Sequence, residues 1–267
     1  TYLLLAANVV VWLALEAAGG SQDLVVLFRF GAKFGPAIAD GEYWRLFVPI
    51  YLHIGFFHLL ANSIGLLIFG RIVESLFGSV SFLAIYLLAG VLGNVASYAS
   101  GPTLGAGASG AVFGIVGAYG AYMVLNRRTL NQMGGSSLGG LGLFVIINLA
   151  FGFSFAGIDN WAHLGGLAGG FVISLFLTPK ASLGSVDRIL VRVSVRRVAK
   201  VVTLAVLSIG LMIWSIGLDY PYSPSNIAET HLEEASHSIT AGDYANARRS
   251  VRHAVQIHQE FVGLGTA

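Results

Sequence analysis

Polar positions along the chain are few and bunched, and between them lie apolar runs at 2–18, 54–71, 80–99, 108–126, 140–156, 161–178 and 199–218. Each run is close to the about 18–20 residues that a helix needs to cross a hydrocarbon core of about 30 Å. The pattern predicts an all-α polytopic membrane protein with six closely spaced helices and a seventh set apart. Glycines recur inside the runs at helical spacing, as at Gly110, Gly114 and Gly117, or at Gly166 and Gly170. In lipid such stripes let helix backbones approach closely, so they read as packing surfaces and not as breaks.

The stretches between the runs divide the chain. Segment 19–53 is too polar to span and mixes Arg29, Lys33, Asp40, Glu42 and Arg45 with Phe28, Phe30, Phe34, Tyr43 and Trp44. It reads as an interfacial loop with aromatics at headgroup level and charges facing water. The predicted organisation is a six-helix core at 1–178, a basic linker at 179–198, a seventh helix at 199–218 and a tail at 219–267. In the tail, Tyr220-Pro221-Tyr222-Ser223-Pro224 stops the seventh helix, and two short amphipathic helices follow, joined at Gly242-Asp243-Tyr244. The spacing of Ala235, Gly242, Tyr244, Ala247 and Ala254 resembles one tetratricopeptide unit. A lone unit leaves an apolar face uncovered, which reads either as a dock for an adaptor or client, or as a solvated hairpin with no partner.

Composition narrows the classes. Of 267 residues, 55% are hydrophobic and 10% charged, against about 25% charged in soluble domains, and the mean hydropathy is +0.76. A water-soluble globular enzyme is excluded, and the lipid bilayer is the first partner. With no cysteine there is no disulfide, thiol nucleophile or thiolate metal site. The net charge of +2 gives no argument for nucleic acid. Basic residues set the orientation. With 19–53 outside, nine fall in cytoplasmic connections (Arg71, Arg127, Arg128, Lys180, Arg188, Arg192, Arg196, Arg197 and Lys200) against three in 19–53. The first helix then runs outward from the cytoplasm and the tail emerges on the outer face. No basic stretch precedes the first run, so no signal peptide is read. That, with the short loops, points to a bacterial cytoplasmic (inner) membrane.

Strongly polar groups inside membrane spans are functional suspects by default. Four stand out: His58 and Asn62 in the second run, Ser109 at the start of the fourth and His163 near the start of the sixth. By the predicted topology each lies at a similar shallow depth on the outer side. His58 and Asn62 are i, i+4 neighbours on a stripe continued by Gly65 and Phe69. His163 shares a face with Gly166 and Gly170, and Ser109 heads the stripe of Gly110, Gly114, Gly117 and Ala121. Two glycine-faced helices would bring Ser109 and His163 together as a candidate nucleophile and base. His58, Asn62 and the Ser109 backbone N–H are candidate oxyanion donors. Taken singly, Ser109 also reads as a packing residue, His163 as an interhelical hydrogen-bond partner and Asn62 as polar glue.

Other groups are weighed against the same background. His53 lies five residues before His58, about 140° around a helix, so it is expected to face away from the cavity and to seat the first loop. A metal site from His53, His58 and His163 lacks an H-E-x-x-H and a completing acid. Asp159, one turn before His163, reads as a helix cap. The tail histidines His231, His237, His253 and His258 show no ligand spacing. No metal and no cofactor is expected.

At these residues the chain resembles the rhomboid family of intramembrane serine proteases. The likeness spans most of 40–172 and rests on Trp44-Arg45, on His53, His58 and Asn62 in that spacing, on Gly107-Ala108-Ser109-Gly110, and on Ala162-His163-Leu164-Gly165-Gly166 with Gly170. A lone G-x-S-G is a weak signal, whereas the ordered set is specific. The resemblance implies a six-helix core of the "six plus one" type, Ser109 as nucleophile, His163 as general base and acid, and His58, Asn62 and the Ser109 amide as oxyanion hole. Trp44, Arg45, His53, Phe113, Gly166 and Gly170 would support the site. Arg71 and Glu74 sit where the family often holds a structural polar contact. Phe113 stands where a tyrosine is common, which keeps ring stacking on His163 and loses a hydroxyl. The implied activity is cleavage of single-pass or polytopic membrane-protein substrates near the outer end of a transmembrane helix.

Two other classes compete. A catalytically inactive, rhomboid-like binder of membrane clients would be expected to have lost the serine or the histidine, and both are present. A transporter would need polar groups near the midplane and beyond, whereas these cluster at one depth. Aspartyl intramembrane proteases are excluded because there is no pair of intramembrane aspartates.

Overall fold

The structure, a computed structural model, describes residues 1–132, 138–155, 157–177, 203, 224–253 and 255. The apolar runs of the core become α1 (Tyr2–Ala17), α4 (Gly55–Phe77), α5 (Ser79–Ser100), α6 (Ser109–Leu125), α8 (Leu138–Ser154) and α9 (Asn160–Phe176). Short helices α2 (Leu24–Arg29) and α3 (Gly35–Ala39) fold within the first loop, and α7 (Arg127–Gln132) follows α6. By length and apolarity α4 and α5, of 23 and 22 residues, are clear spans, while α1, α6 and α8 are shorter apolar helices. Among the described residues the regular elements are all helices, and the six-plus-one count rests on the sequence. The linker 179–198 and the seventh helix 199–218 both fall outside the described residues, Thr203 excepted.

The bundle centres on α5, α6 and α9. Helix α6 is apolar all round and buried along most of its length, from Gly110 to Met123, as a helix surrounded by others must be. Its neighbours meet it through the predicted glycines. A Cβ at Gly166 would collide with Gly110 O, one at Gly170 with Gly114 O, and one at Gly117 with Leu167 O. Helix α5 approaches α9 in the same way, since Cβ positions at Gly93 and Gly165 lie 2.6 Å from Ala162 O and 3.0 Å from Leu92 O. The outer helices expose large apolar side chains such as Leu3, Phe57 and Phe153, as lipid-facing surfaces do.

Helix α4 runs six residues past the end of its predicted span. A wide turn over Leu66–Gly70 joins its two halves without breaking it, so Arg71 and Glu74 lie in the helix. Glu74 accepts from the Thr1 hydroxyl at 2.6 Å, and Arg71 stands 6.0 Å over the Tyr2 ring. This polar contact goes to the start of α1.

The first loop departs most from expectation. Lys33 and Arg45 are 0% and 3% exposed, not solvated. Two apolar clusters, one around Ile38, Leu46, Val95 and Tyr98 and one around Leu15, Leu27, Ala32 and Leu52, make the loop a packed cap. Arg45 is its hub. Its guanidinium donates to Phe28 O at 2.7 Å, Ala32 O at 3.1 Å and Glu42 at 2.7 Å, and lies over the Phe28 and Trp44 rings. The bonds satisfy carbonyls that a compact loop would otherwise bury unpaired, which is why the charge goes inward. In the tail, α10 (Pro224–Thr240) turns at Gly242 into a second helix over 244–253, and Ala235 and Ala247 are buried.

Candidate active site

The first turns of three helices build the site. Ser109 is the first residue of α6, His163 lies in the first turn of α9 and His58 in the first turn of α4. Ser109 and Phe113 are one turn apart on α6, and the Phe113 ring stacks on the His163 imidazole at 4.4 Å with 8° between planes. The Cβ position of Gly110 is 3.2 Å from Ala162 O, so the residues beside Ser109 and His163 touch through their backbones. His163 is 7% exposed, and its Nδ1 meets no hydrogen-bond partner among the described residues.

Gly107 brings His58 to Ser109. Its φ of +148° is one that L side chains rarely adopt. The space a Cβ would fill is taken, lying 2.8 Å from His58 Nε2 and 3.6 Å from Ser109 Oγ. Ile54 N–H donates to His58 Nδ1 at 3.3 Å, so the neutral ring carries its proton on Nε2, the nitrogen that faces Gly107. Asn62 is buried, and its amide donates to His58 O at 3.0 Å on its own helix. Gly65 and Phe69 continue the stripe onto α6, with the Gly65 Cβ position 2.9 Å from Val112 and the Phe69 ring 6.4 Å from Tyr119. Ser109, His58 and His163 thus lie in the N-terminal turns of α6, α4 and α9, with Asn62 one turn beyond His58 on α4.

His53 does not face away. Helix α4 begins at Gly55, so a helical angle between residues 53 and 58 has no meaning. The His53 ring packs edge-on against His58 at 5.5 Å and is fully buried. Burial and the neighbouring His58 bring its pKa down to about 3, against a contact to Tyr51 O that raises it. A ring that stays neutral in this way can wall the site without adding charge. Among the described residues no group of three His, Cys, Asp or Glu side chains is placed to hold a metal.

Asp159 caps α9, its Oδ1 accepting from Ala162 N–H at 3.0 Å. Its other oxygen accepts from the Ser97 hydroxyl, which in turn accepts from Lys33 Nζ at 2.6 Å. Lys33 and Ser97 carried no signal in the sequence, because their partners lie more than 60 residues away. Ser21 is a second missed contact. Its buried Oγ accepts from Gly55 N–H at 3.1 Å and from Trp12 Nε1 at 3.0 Å, and donates to Glu16, tying α4 to α1.

Comparison with known proteins identifies the family of the chain. A family profile described as the rhomboid domain matches residues 40–180, more than half of the chain. Rhomboid protease GluP of Bacillus subtilis is 38% identical over 245 residues, covering 91% of this chain and 45% of GluP. The chain thus spans less than half the length of that relative. YdcA of the same bacterium is 38% identical over 184 residues, covering 66% of this chain and 87% of YdcA. RHOMBOID-like protein 5 of Arabidopsis thaliana is 35% identical over 168 residues, covering 62% of this chain and 54% of it. The matched segment holds Ser109, His163, His58 and Asn62, and the chain belongs to the rhomboid family of integral membrane proteins.

Proposed function

We propose that the protein is an intramembrane serine endopeptidase with Ser109 as nucleophile and His163 as general base and acid. One observation carries the reading: α6 and α9 meet glycine to glycine, and at the end of that seam Ser109 stands one turn from the ring that stacks on His163. Ser109 Oγ attacks the scissile carbonyl while His163 takes its proton. The tetrahedral oxyanion forms at the N-terminus of α6, where the Ser109 N–H has no intrahelical partner. His58 Nε2–H and the second amide hydrogen of Asn62 are further donors. His163 returns the proton to the leaving amine, and water then hydrolyses the acyl enzyme through the same base. Phe113 holds the imidazole plane in place, a contact of about 0.5–1.5 kcal/mol. His163 and Ser109 form no hydrogen bond with each other among the described residues, and such bonds commonly tighten only around substrate.

The substrates are transmembrane helices of other membrane proteins. A helix in lipid satisfies every backbone group internally, so the scissile bond has to unwind into a wet cavity before attack. The excess of basic residues in the opposite connections supports a cavity that opens on the extracytoplasmic side. Relatives in a bacterium and a plant leave the side of the membrane as the substance of the proposal, and not the organism. The inactive-binder reading has no observation in its favour.

The test is cleavage by purified protein in liposomes of a single-pass substrate, with both fragments weighed by mass spectrometry. A cut at the outer end of the transmembrane helix is expected. Cleavage confined to a soluble loop, or none, would overturn the reading. Asn62→Ala is expected to be milder than loss of the nucleophile, about 10²-fold in turnover, because two donors remain. A loss equal to that of Ser109→Ala would assign Asn62 another role. Removal of 226–267 should leave cleavage of a short substrate nearly unchanged, since all of the proposed chemistry lies within 1–178. Loss of core stability on that removal would show the tail to be a structural part of the core.

A further inference from the structure

Lys33 joins the first loop to α5, to the segment that precedes α6 and to the start of α9. Its backbone pairs with Gly105 in both directions, N–H to O and O to N–H, at 2.8 Å each. This fixes the first loop to the segment that leads into Ser109. Its side chain is fully buried and reaches Ser97 on α5 at 2.6 Å. Ser97 passes the contact to Asp159, whose Oδ2 also lies 3.9 Å from Lys33 Nζ. Asp159 is the cap of α9, and its carbonyl accepts from His163 N–H at 3.1 Å. Gly105 closes over the pair, its Cβ position being 3.2 Å from Lys33 Cε and 3.4 Å from Asp159 Oδ2. Further along the same segment, Gly107 N–H donates to Pro49 O at 3.0 Å and its Cα faces His58.

A lone ammonium in such a place is strongly unfavourable, and burial does lower the Lys33 pKa while Asp159 raises it. Burial is the larger of the two effects, so the ammonium relies on its hydrogen bond to Ser97 as well as on the nearby carboxylate. Apolar packing alone would secure the loop equally well, so the use of a charge relay at this junction asks for a reason that packing does not give.

We propose that Lys33 is a positioning residue for the catalytic pair, its charge relay through Ser97 to Asp159 setting the first turn of α9, and with it His163, against the segment that delivers Ser109. The proposal rests on the serine-protease reading. A shift of about 1 Å between reacting groups is enough to cost about a hundredfold in rate, whereas Lys33 is fully buried and offers no surface to a substrate. The relay is therefore expected to govern turnover and not substrate affinity.

The experiment uses Ser97→Ala, which removes only the bridging hydroxyl, and the double variant Lys33→Met with Asp159→Asn. The double variant removes both charges, keeps a side chain of similar length at 33 and keeps an Asn cap on α9. The double variant is expected to retain the wild-type melting temperature and Ser97→Ala to lower it, because the buried ammonium loses its hydrogen bond. In both, KM for a transmembrane substrate is retained while kcat and the rate of fluorophosphonate labelling at Ser109, measured well below the melting temperature, fall between about tenfold and a hundredfold. The single change Asp159→Asn, which strands the ammonium, should lower the melting temperature as well, and adding Lys33→Met should restore it without restoring kcat. Wild-type kcat in Ser97→Ala and in the double variant would overturn the proposal. So would a fall in kcat that only tracks lost folding. Failure of the wild-type protein to label at Ser109 would instead refute the protease reading on which the proposal stands, and it would show before any substitution is made.

Discussion

Ser109→Ala and His163→Ala are each expected to lower cleavage of a transmembrane substrate in liposomes by roughly 10³-fold or more, and the double variant by no more than either alone. Nucleophile and base act as a unit, so removing either removes most of what both contribute. The two should differ in stability. Ser109 is half-buried at a helix start and has no bond to lose beyond its own turn, so Ser109→Ala should melt like the wild type. His163→Ala gives up the stack on Phe113, worth about 0.5–1.5 kcal/mol, and leaves a small cavity between α6 and α9. A modest drop in melting temperature in His163→Ala alone is the signature of this geometry. Appreciable cleavage by either purified variant would remove the pair from the mechanism.

Gly166→Val and Gly170→Val should lose activity and stability together. The new Cβ would run into Gly110 O in the first case and Gly114 O in the second, and backbone cannot swing aside as a side-chain tip can. Overpacking usually costs about 1–3 kcal/mol. Here the helices must separate along the whole seam, so the cost should lie at or above the top of that range, and His163 moves away from Ser109 as they part. Gly142→Val is the control, since nothing stands within 4 Å of its Cβ position and residue 142 is exposed. It should behave as wild type in thermal melts and in cleavage. A Gly170→Val protein with unaltered melting and turnover would show that α6 and α9 do not meet on this face.

These seams were legible in the sequence because they are local patterns. Gly110, Gly114 and Gly117 repeat at helical spacing, as do His163, Gly166 and Gly170, and a repeat of that kind names a face before any partner is known. The stacking of Phe113 on His163 followed from the family likeness and is present. What the sequence hid depends on partners far along the chain. Lys33 looked solvated because its segment is polar, yet it pairs with Ser97 and Asp159 through the fold. Arg45 looked interfacial, yet the carbonyls of a compact loop draw it in. His53 was misplaced by treating residues 53 and 58 as one helix when the helix starts between them. The end of α4 was misjudged for the opposite reason, since Arg71 and Glu74 looked like a boundary and the helix continues to Phe77. Ser21 has only a weak local trace, five residues from Glu16.

The central claim, that Ser109 is a nucleophile activated by His163, is tested most directly by covalent labelling. Purified protein in liposomes is treated with a fluorophosphonate, digested, and the adduct located by mass spectrometry in the wild type and in His163→Ala. The account predicts one adduct, on Ser109, formed in the wild type and suppressed by roughly 10³-fold or more when His163 is absent. An adduct on another residue, or labelling of Ser109 at the same rate without His163, would contradict it.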